Sequence, residues 1–245
     1  TVWHQADRYG VPRIAFVNKL DRLGADFDRV VQEMRDKLDA APVALQMPIG
    51  VEDSFEGVVD LITERALLWS SEDLGASPDE EAIPEELVDE VALRREAMIE
   101  AVAEVDDEVA ELYLEGEDIP LDLLRAAIRK STIARTIVPV LCGAALRNKG
   151  VQPLLDAVVE FLPCPAEVDA IVGEDRYGGE VKVEASEGGA FCALVFKVAV
   201  EEGRRHVYSR VYRGNITPGT EVYNPRLRKN ERVARIFLPH ANRRE

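Results

Sequence analysis

The stretch Ile14-Ala-Phe-Val-Asn-Lys-Leu-Asp21 begins with four apolar residues and ends in a polar loop. A short apolar run of this kind is typical of a buried strand, and residues 26–38 carry apolar side chains at helical spacing. A strand, a loop and a helix in this order predict one βα unit of an open α/β sheet. Such sheets bind their ligands at the carboxyl ends of the strands, which is where Asn18-Lys-Leu-Asp21 lies.

The residue types of this loop suit the recognition of a guanine base. Guanine has two adjacent donors, the ring N1–H and the exocyclic amine, and the carboxylate of Asp21 can accept from both. Adenine lacks this pair of donors, so a buried carboxylate facing adenine would stay unpaired, and that penalty gives discrimination. The methylene stem of Lys19 can lie over the base, and the Asn18 amide can brace neighbouring loops. The sequence therefore predicts a guanine-recognition loop in which Asp21 and Lys19 meet the base and Asn18 braces the loop.

A second βα unit is predicted between residues 137 and 162. The apolar run 137–142 is followed by the small-residue loop Gly143-Ala-Ala-Leu146 and by an amphipathic helix over 151–162. Small residues let backbone N–H groups approach a ligand oxygen closely, and the N–H of Ala145 would suit the guanine carbonyl oxygen. The alternative interpretation is an ordinary tight βα turn, because a short motif is only a hypothesis.

Several longer motifs resemble those of bacterial elongation factor G, a translational GTPase. They are Val11-Pro-Arg-Ile-Ala-Phe-Val-Asn-Lys-Leu-Asp-Arg-Leu-Gly-Ala-Asp-Phe27, Gln46-Met-Pro-Ile-Gly50, Phe55-Glu-Gly-Val-Val-Asp-Leu-Ile62, Val140-Leu-Cys-Gly-Ala-Ala-Leu-Arg-Asn-Lys-Gly-Val-Gln152, Arg210-Val-Tyr-Arg-Gly-Asn-Ile-Thr-Pro-Gly219 and Glu231-Arg-Val-Ala-Arg-Ile236. The resemblance implies that Asn18, Lys19 and Asp21 are guanine-base contacts. It also implies that Ala144, Ala145 and Leu146 form the second base loop. The family commonly has serine where Ala144 stands, and the lack of that hydroxyl is expected to remove one hydrogen bond that orders the aspartate loop.

The resemblance implies an α/β fold, in which a partial P-loop GTPase domain with an inserted α+β subdomain is followed by a partial β-barrel domain. We predict the carboxyl half of the GTPase domain over 1–40 and 135–166, the acidic insertion over 41–134, a linker over 167–189, and an incomplete barrel, domain II of the family, over 190–245. Within these regions the residue patterns predict the local elements. They are strands over 43–49, 55–69, 190–200, 206–212 and 232–238, helices over 84–104 and 121–135, and a mobile loop over 70–82.

The resemblance also implies GTP or GDP with Mg²⁺ as the ligands of the full-length protein. The sequence contains no Gly-x-x-x-x-Gly-Lys-[Ser/Thr] pattern, whose backbone and lysine hold the β- and γ-phosphates. The chain opens at Thr1 without a methionine, so we expect a fragment that lacks the phosphate-binding loop and the switch regions. This fragment is predicted to contain no catalytic or metal-binding residue, to hydrolyse no GTP alone and to hold no nucleotide tightly.

Composition places the chain among cytoplasmic proteins. No apolar run approaches the ~20 residues that span a membrane, and no signal peptide is visible. Cys142, Cys164 and Cys192 have no metal-ligand spacing, and we expect them to be small buried residues in a reducing cytosol. The three histidines lie far apart in the sequence, and no catalytic role is assigned to them.

The net charge of −16 comes from one segment. Residues 72–118 contain 19 acidic residues against two arginines, within the predicted insertion. Such asymmetry suggests a basic partner, and the family resemblance points to the flexible stalk protein of the large ribosomal subunit. The alternative is a solvated helix face that only keeps the chain soluble.

Residues 203–245 have the opposite balance, with 11 arginines and lysines against three glutamates. We predict that this region contacts ribosomal RNA through phosphates rather than bases, because arginine suits bidentate phosphate contacts. The candidate contacts are Arg210, Arg213, Arg226, Arg228 and Lys229. Alternatively, these side chains pair with the acidic insertion or only solubilise the chain. An exposed barrel edge would also allow oligomerisation by strand pairing.

Three functional hypotheses follow. The first is a ribosomal translocation GTPase resembling elongation factor G. The second is a paralogue on the same scaffold that acts in ribosome recycling or rescue. The third, from a different class, is a ribosome-interaction module that does not hydrolyse GTP. Nucleotide hydrolysis by the parent protein would separate the third hypothesis from the first two.

Overall fold

The computed structural model describes residues 1–70, 77–168, 170–175, 177–201, 203–240 and 243–244. The chain divides into two compact units, Thr1–Pro163 and Cys164–Glu245. The helices of the first unit are α1 (Val2–Arg8), α2 (Phe27–Leu38), α3 (Val88–Ala103), α4 (Asp107–Glu115), α5 (Leu121–Ala134) and α6 (Val151–Phe161). Its strands are β1 (Ala15–Val17), β2 (Pro42–Ala44), β3 (Gln46–Ile49), β4 (Gly57–Asp60), β5 (Arg65–Leu68), β6 (Asp79–Glu81) and β7 (Val138–Cys142), and short 3-10 helices lie at Glu52–Ser54, Glu85–Leu87 and Ala145–Arg147.

A parallel sheet of order β1-β7-β2 carries both predicted loops. In this sheet Ala15 pairs with Val140 and Val17 with Cys142, so β1 and β7 end at the same edge. All five residues of β7 are buried, as expected for a central strand covered on both faces. The two predicted βα units are therefore confirmed, with α2 and α6 as their helices.

A second sheet, antiparallel and of order β3-β4-β5-β6, continues directly from the first. After β2 pairs with β7, the N–H of Leu45 donates to the carbonyl oxygen of Val140 at 3.0 Å, and β3 then pairs with β4. The segment predicted as one strand over 43–49 is thus two strands in different sheets. The predicted strand over 55–69 is also two, because the chain turns back between Asp60 and Arg65.

Two hydrophobic clusters fill the first unit. One places the apolar face of α2, with Phe27, Val31 and Met34, in the same cluster as residues of β1, β4, β5 and β7. The other includes residues of β3 to β5 together with α3, α4, α5 and α6. Since Val58 and Leu67 of the second sheet share a core with Val17 of the first, residues 41–134 do not fold around a separate core.

Capping residues define where the helices begin and end. Asp26 caps α2, since its Oδ1 accepts the N–H of Arg29 at 2.9 Å. Asp106 caps α4 in the same way, and Gly116 ends that helix in the left-handed conformation. Helices α3 and α5 lie within the predicted spans, whereas α4 was not predicted. Four of its nine residues are acidic, and these charges interrupt the apolar residues around Val109 from which a helix would be predicted.

The predicted loop over 70–82 is described only in part. Residues 71–76 lie outside the described residues. Asp79–Glu81 forms the edge strand β6, whose residues are all exposed. This short acidic strand was predicted as loop because its three residues have low intrinsic strand propensity.

The second unit consists of two-stranded antiparallel ribbons. They are β8 (Ile171–Glu174) with β9 (Glu180–Val183), β10 (Cys192–Glu201) with β11 (Arg204–Arg213), β12 (Glu221–Asn224) with β13 (Lys229–Arg232), and β14 (Pro239–His240) with β15 (Arg243–Arg244). Among the described strands these ribbons do not close into a barrel. The α/β class is confirmed, while the predicted barrel is represented by separate ribbons.

Two predictions for this unit were wrong. Part of the predicted linker over 167–189 forms the ribbon of β8 and β9, whose turn is held by the Asp175 carboxylate accepting the N–H groups of Tyr177 and Gly179. The predicted strand over 232–238 overlaps β13 only at Arg232. The sequence pattern missed the β12–β13 hairpin because its turn falls in the basic stretch 225–228.

The three cysteines differ in their exposure. All three are free thiols; Cys142 is buried as expected, but Cys164 is exposed and Cys192 half-buried, so the prediction of three buried cysteines was wrong. Burial raises the pKa of the Cys142 thiol far above its usual range. In the described part of the chain, no helix is both long and apolar enough to cross a membrane.

The cap of α4 gives a stability prediction. The Oδ1 of Asp106 accepts the N–H of Val109, and its Oδ2 accepts a hydrogen bond from Lys130 at 2.7 Å. We expect Asp106→Ala to lower the free energy of unfolding at pH 7 by about 1–2 kcal/mol, since it removes the cap. Asp106→Asn retains a capping oxygen and should cost less. Urea denaturation measures both.

The same pair sets a pH dependence. The hydrogen bond from the Lys130 ammonium holds the pKa of the Asp106 carboxyl below its usual value. A depressed folded-state pKa adds stability above about pH 4, and this stability is lost as the pH falls through the folded-state value. The wild type and Asp106→Asn should therefore become equally stable at low pH. A difference that persists undiminished at pH 2 would show that the ion pair does not contribute.

Candidate functional site

The aspartate loop begins directly after β1. Lys19 has a left-handed backbone, with φ of 67°, which turns the chain sharply at this point. Leu20 points into the core and is 4% exposed, so it anchors the loop. Asp21 is 9% exposed, and together with Asp106 it is one of two buried charged residues in the described part of the chain. Asn18 and Lys19 are exposed beside it.

The second loop begins where β7 ends. A side chain at Gly143 would bring its Cβ within 2.4 Å of the carbonyl oxygen of Lys149, so only glycine fits this position. Ala144 is 1% exposed, and its N–H donates to that same Lys149 oxygen at 2.9 Å. Ala145 begins a 3-10 turn, and Leu146 is 85% exposed. The loop is therefore compact at its base and open at Leu146.

Hydrogen bonds join the two loops. The Asn18 Oδ1 accepts the N–H of Ala145 at 3.0 Å and that of Lys19 at 2.8 Å. The N–H of Leu20 donates to the carbonyl oxygen of Gly143 at 3.2 Å. All six predicted base-loop residues thus lie in two loops bonded to each other. The Asn18 amide was expected to brace neighbouring loops, and its hydrogen bonds to Ala145 and Lys19 do so.

The Ala145 N–H was predicted to face a guanine carbonyl oxygen, and in this structure it donates to Asn18 instead. This contact holds the loops together although Ala144 has no hydroxyl group. The effect of that replacement on nucleotide affinity stays a prediction.

Arg147 is a site residue that sequence reasoning missed. Its Nε lies 3.0 Å from the Asp21 Oδ2, so a guanidinium occupies one side of the carboxylate predicted to bind guanine. The Arg147 side chain is 57% exposed and can leave this position at little cost. The only sequence signal was a basic residue next to Leu146, which does not by itself indicate a partner.

Glu52 and Lys149 were also missed. Glu52 opens the 3-10 turn Glu52–Ser54, and its carboxylate accepts the N–H of Gly24 in the aspartate loop. The Lys149 ammonium donates to the carbonyl oxygen of Phe55, directly after that turn. Glu52 follows Gly24 by 28 residues, so no short-range pattern could have joined them.

Asp-x-x-Gly spacing, which in GTPases can place Mg²⁺ or water, occurs at Asp7 with Gly10, at Asp21 with Gly24 and at Asp175 with Gly178. None of these three aspartates has an arrangement that favours a metal. Asp7 pairs with Arg13, and Asp21 pairs with Arg147. The Asp175 carboxylate accepts backbone N–H groups of its own turn. Across the described residues, no cluster of three histidine, cysteine or acidic side chains could hold a metal ion.

The acidic segment presents an exposed face on α3. Glu96 and Glu100 of this helix are exposed, and Leu93 beside them is 68% exposed. Glu85 and Glu86 are exposed in the 3-10 turn that precedes α3. Glu90 differs from these residues because it pairs with Arg94, which also makes a bidentate contact to Asp28 of α2 at 2.6 and 2.7 Å. The Glu90 carboxylate therefore already shares the Arg94 guanidinium with Asp28 inside the first unit.

The five basic candidates lie on two ribbons of the second unit. Arg210 and Arg213 belong to β11, where Arg210 lies over the Tyr212 ring and the Arg213 Nε donates to the carbonyl oxygen of Ala190. Arg226 and Arg228 are exposed in the turn before β13, and Lys229 opens that strand. Lys229 lies 3.6 Å from Glu231 in an exposed ion pair. Their role as ribosome contacts stays a prediction.

The whole chain is similar in sequence to known proteins. Residues 1–164 match the family described as the elongation factor Tu GTP binding domain. Among similar curated proteins are those named elongation factor G from Petrotoga mobilis, at 50% identity, and from Thermotoga petrophila and Thermotoga maritima, each at 49%. The alignments cover 100% of this chain but only 36%, 35% and 36% of these relatives. The chain thus spans about a third of their length.

A solved structure agrees with these sequence matches. A crystal structure of a protein from Thermus thermophilus superposes with a TM-score of 0.77 at 28% sequence identity. The match covers 99% of this chain and 33% of that one.

Proposed function

We propose that this chain recognises the guanine base of GTP and GDP with its two joined loops. The chain belongs to the family of the elongation factor Tu GTP binding domain and is an elongation factor G-like translational GTPase. Asp21 is proposed to accept the two guanine donors, with Lys19 over the base. Ala144, Ala145 and Leu146 are proposed to border the base on its other side. The single observation that carries this proposal is the nearly buried Asp21 carboxylate beside a loop fixed by the Asn18–Ala145 hydrogen bond.

The residues present fit a guanine base in their chemistry. A buried carboxylate requires donors, and guanine offers two in the spacing of one carboxylate. One side of Asp21 is held by Arg147, whose exposed guanidinium can be displaced by a ligand that supplies two donors at once. Exchanging one exposed ion pair for two buried hydrogen bonds favours the bound base.

We further propose that the natural protein carrying this sequence hydrolyses GTP to drive ribosomal translocation in the cytoplasm. This proposal is supported by relatives named elongation factor G, which are 49–50% identical to this chain over its whole length. When bound, Mg²⁺ would neutralise the charge of the transferred phosphate. The residues of the two joined loops would hold and orient the base. A paralogue acting in recycling or rescue would use the same base site. We propose that the isolated chain does not hydrolyse GTP, because it contains no Gly-x-x-x-x-Gly-Lys-[Ser/Thr] loop to hold the phosphates.

The base site predicts a change of nucleotide preference. In the natural gene product that carries this sequence, Asp21→Asn should weaken GDP binding by about 100-fold or more and favour xanthosine diphosphate. The amide donates where xanthine has an oxygen and loses an acceptor that guanine needs. Competition between the two nucleotides measures the change.

A matched control is Asp26→Asn. This variant makes the same chemical change in the next carboxylate along the chain, which caps α2, and asparagine caps a helix about as well as aspartate. It should leave nucleotide preference unaltered. Wild-type GDP affinity in Asp21→Asn would reduce Asp21 to a structural loop residue.

We propose that the acidic face of α3 docks a basic protein surface on the ribosome, namely that of the stalk protein. The exposed charges of Glu96 and Glu100, beside the exposed apolar Leu93, support an interaction surface rather than a purely solvated one. Complementary charge of this kind mainly steers association. We also propose that Arg226, Arg228 and Lys229 contact ribosomal RNA phosphates, as their exposure in one turn allows.

The acidic face can be tested by charge removal. The double variant Glu96→Gln, Glu100→Gln should slow association with ribosomes about threefold to tenfold at low salt, and the difference should shrink as salt screens the charges. Dissociation should change little. Stopped-flow association measures both rates.

The control removes the same number of charges elsewhere. Asp36→Asn with Asp39→Asn alters the end of α2, and asparagine tolerates the left-handed backbone that Asp39 adopts. This control should associate at the wild-type rate. Equal rates for both double variants would leave the acidic segment as a solvated face.

A further inference from the structure

The 3-10 turn Glu52–Ser54 holds the aspartate loop on both sides of Asp21. The backbone N–H of Glu52 donates to the carbonyl oxygen of Leu20 at 3.1 Å. The Glu52 carboxylate accepts the N–H of Gly24 through Oε1 at 2.7 Å. Leu20 precedes Asp21 directly, and Gly24 follows it by three residues. Glu52 alone thus fixes both ends of the segment that carries Asp21.

The turn itself is built to hold Glu52 in place. Glu52 has φ of 53°, a left-handed conformation that costs a residue with a side chain of the order of 1 kcal/mol or more. The Ser54 hydroxyl accepts the Val51 N–H and donates to the Val51 carbonyl oxygen at 2.7 Å. A Cβ at Gly50 would lie 1.9 Å from the backbone carbonyl oxygen of Ser54, so only glycine fits this close approach of the two segments. A strained residue held by such a turn indicates a role that requires its position.

The same turn reaches the second base loop. The Lys149 ammonium donates to the carbonyl oxygen of Phe55 at 2.9 Å and lies 5.8 Å from the centre of the Phe55 ring. The Phe55 side chain is 3% exposed and shares a hydrophobic cluster with Leu20 and Ala144. Residues 52–55 therefore contact the aspartate loop directly and reach the second loop through Lys149, whose backbone pairs with that of Ala144.

We propose that Glu52 is a positioning residue that sets guanine selectivity by holding Asp21 where it can meet both donors of the base. This inference rests on the proposed guanine site. A carboxylate that meets both donors prefers guanine over hypoxanthine, since hypoxanthine lacks the exocyclic amine. When the loop is released at Gly24, Asp21 no longer meets both donors well, and the second donor adds less to affinity.

The test compares affinities for GDP and inosine diphosphate in the natural gene product that carries this sequence. Glu52→Ala should lower the ratio of the two affinities about threefold to tenfold, the range expected when a loop loses a hydrogen bond to a charged group. Glu52→Asp keeps the charge but is one methylene too short to reach Gly24, and it should lower the ratio as well. Glu52→Gln keeps the accepting oxygen and should restore the wild-type ratio.

Asp53→Ala is the matched control, because Asp53 is an exposed carboxylate in the same turn. It should bind both nucleotides with the wild-type ratio. Urea midpoints for all variants separate a loss of fold from a loss of selectivity, because a general loosening lowers both affinities together and leaves their ratio unchanged. An unchanged ratio in both Glu52→Ala and Glu52→Asp, or a Glu52→Gln ratio as low as that of Glu52→Ala, would overturn the positioning role.

The Asp21→Asn variant, measured in parallel, separates this inference from the proposed function. If Asp21→Asn changes base preference while the Glu52 variants do not, the positioning role alone is overturned. If Asp21→Asn also leaves base preference unchanged, the guanine site lies elsewhere and both proposals are overturned.

Discussion

The hydrogen bonds that join the ends of β1 and β7 are the constraint on which the site depends. Parallel pairing brings Val17 beside Cys142, although 120 residues of chain separate the two strands. Once the strands end together, Asn18 can accept from Ala145, and Leu20 can donate to Gly143. Asp21 is then nearly buried at a fixed position. Selective recognition of a base requires such a fixed carboxylate, because a mobile one could turn away to water and escape the penalty for an unpaired partner.

Residues 41–134, which the sequence predicts to be an insertion, pack as part of this arrangement. Their sheet continues from β2 through Leu45, and Phe55, Val58 and Leu67 share a core with Leu20 and Ala144. The acidic helix α3 is tied to α2 by the contact of Arg94 with Asp28, and that contact holds the pKa of the Asp28 carboxyl below its usual value. A surface proposed to meet a partner and loops proposed to hold a base therefore lie in one cooperatively packed unit.

Local sequence signals explain what could be predicted. The two strand–loop–helix units, the polar aspartate loop and helices α2, α3, α5 and α6 follow from apolar runs and helical spacing over fewer than about 20 residues. The acidic helix α4 and the ribbon of β8 and β9 were missed because their hydrophobic sequence pattern is weak. In the structure, correspondingly, few of their residues are buried. Arg147, Glu52 and Lys149 could not be assigned, since their contacts depend on chain segments that only folding brings together.

A crystal structure of the natural gene product with GDP would test the central claim most directly. We expect both Asp21 carboxylate oxygens to lie within about 3 Å of guanine N1 and the exocyclic nitrogen. We also expect that Arg147 is displaced from Asp21, that Glu52 remains on Gly24, and that the loops following β1 and β7 stay side by side. A base bound elsewhere, with Asp21 still paired to Arg147, would contradict the claim.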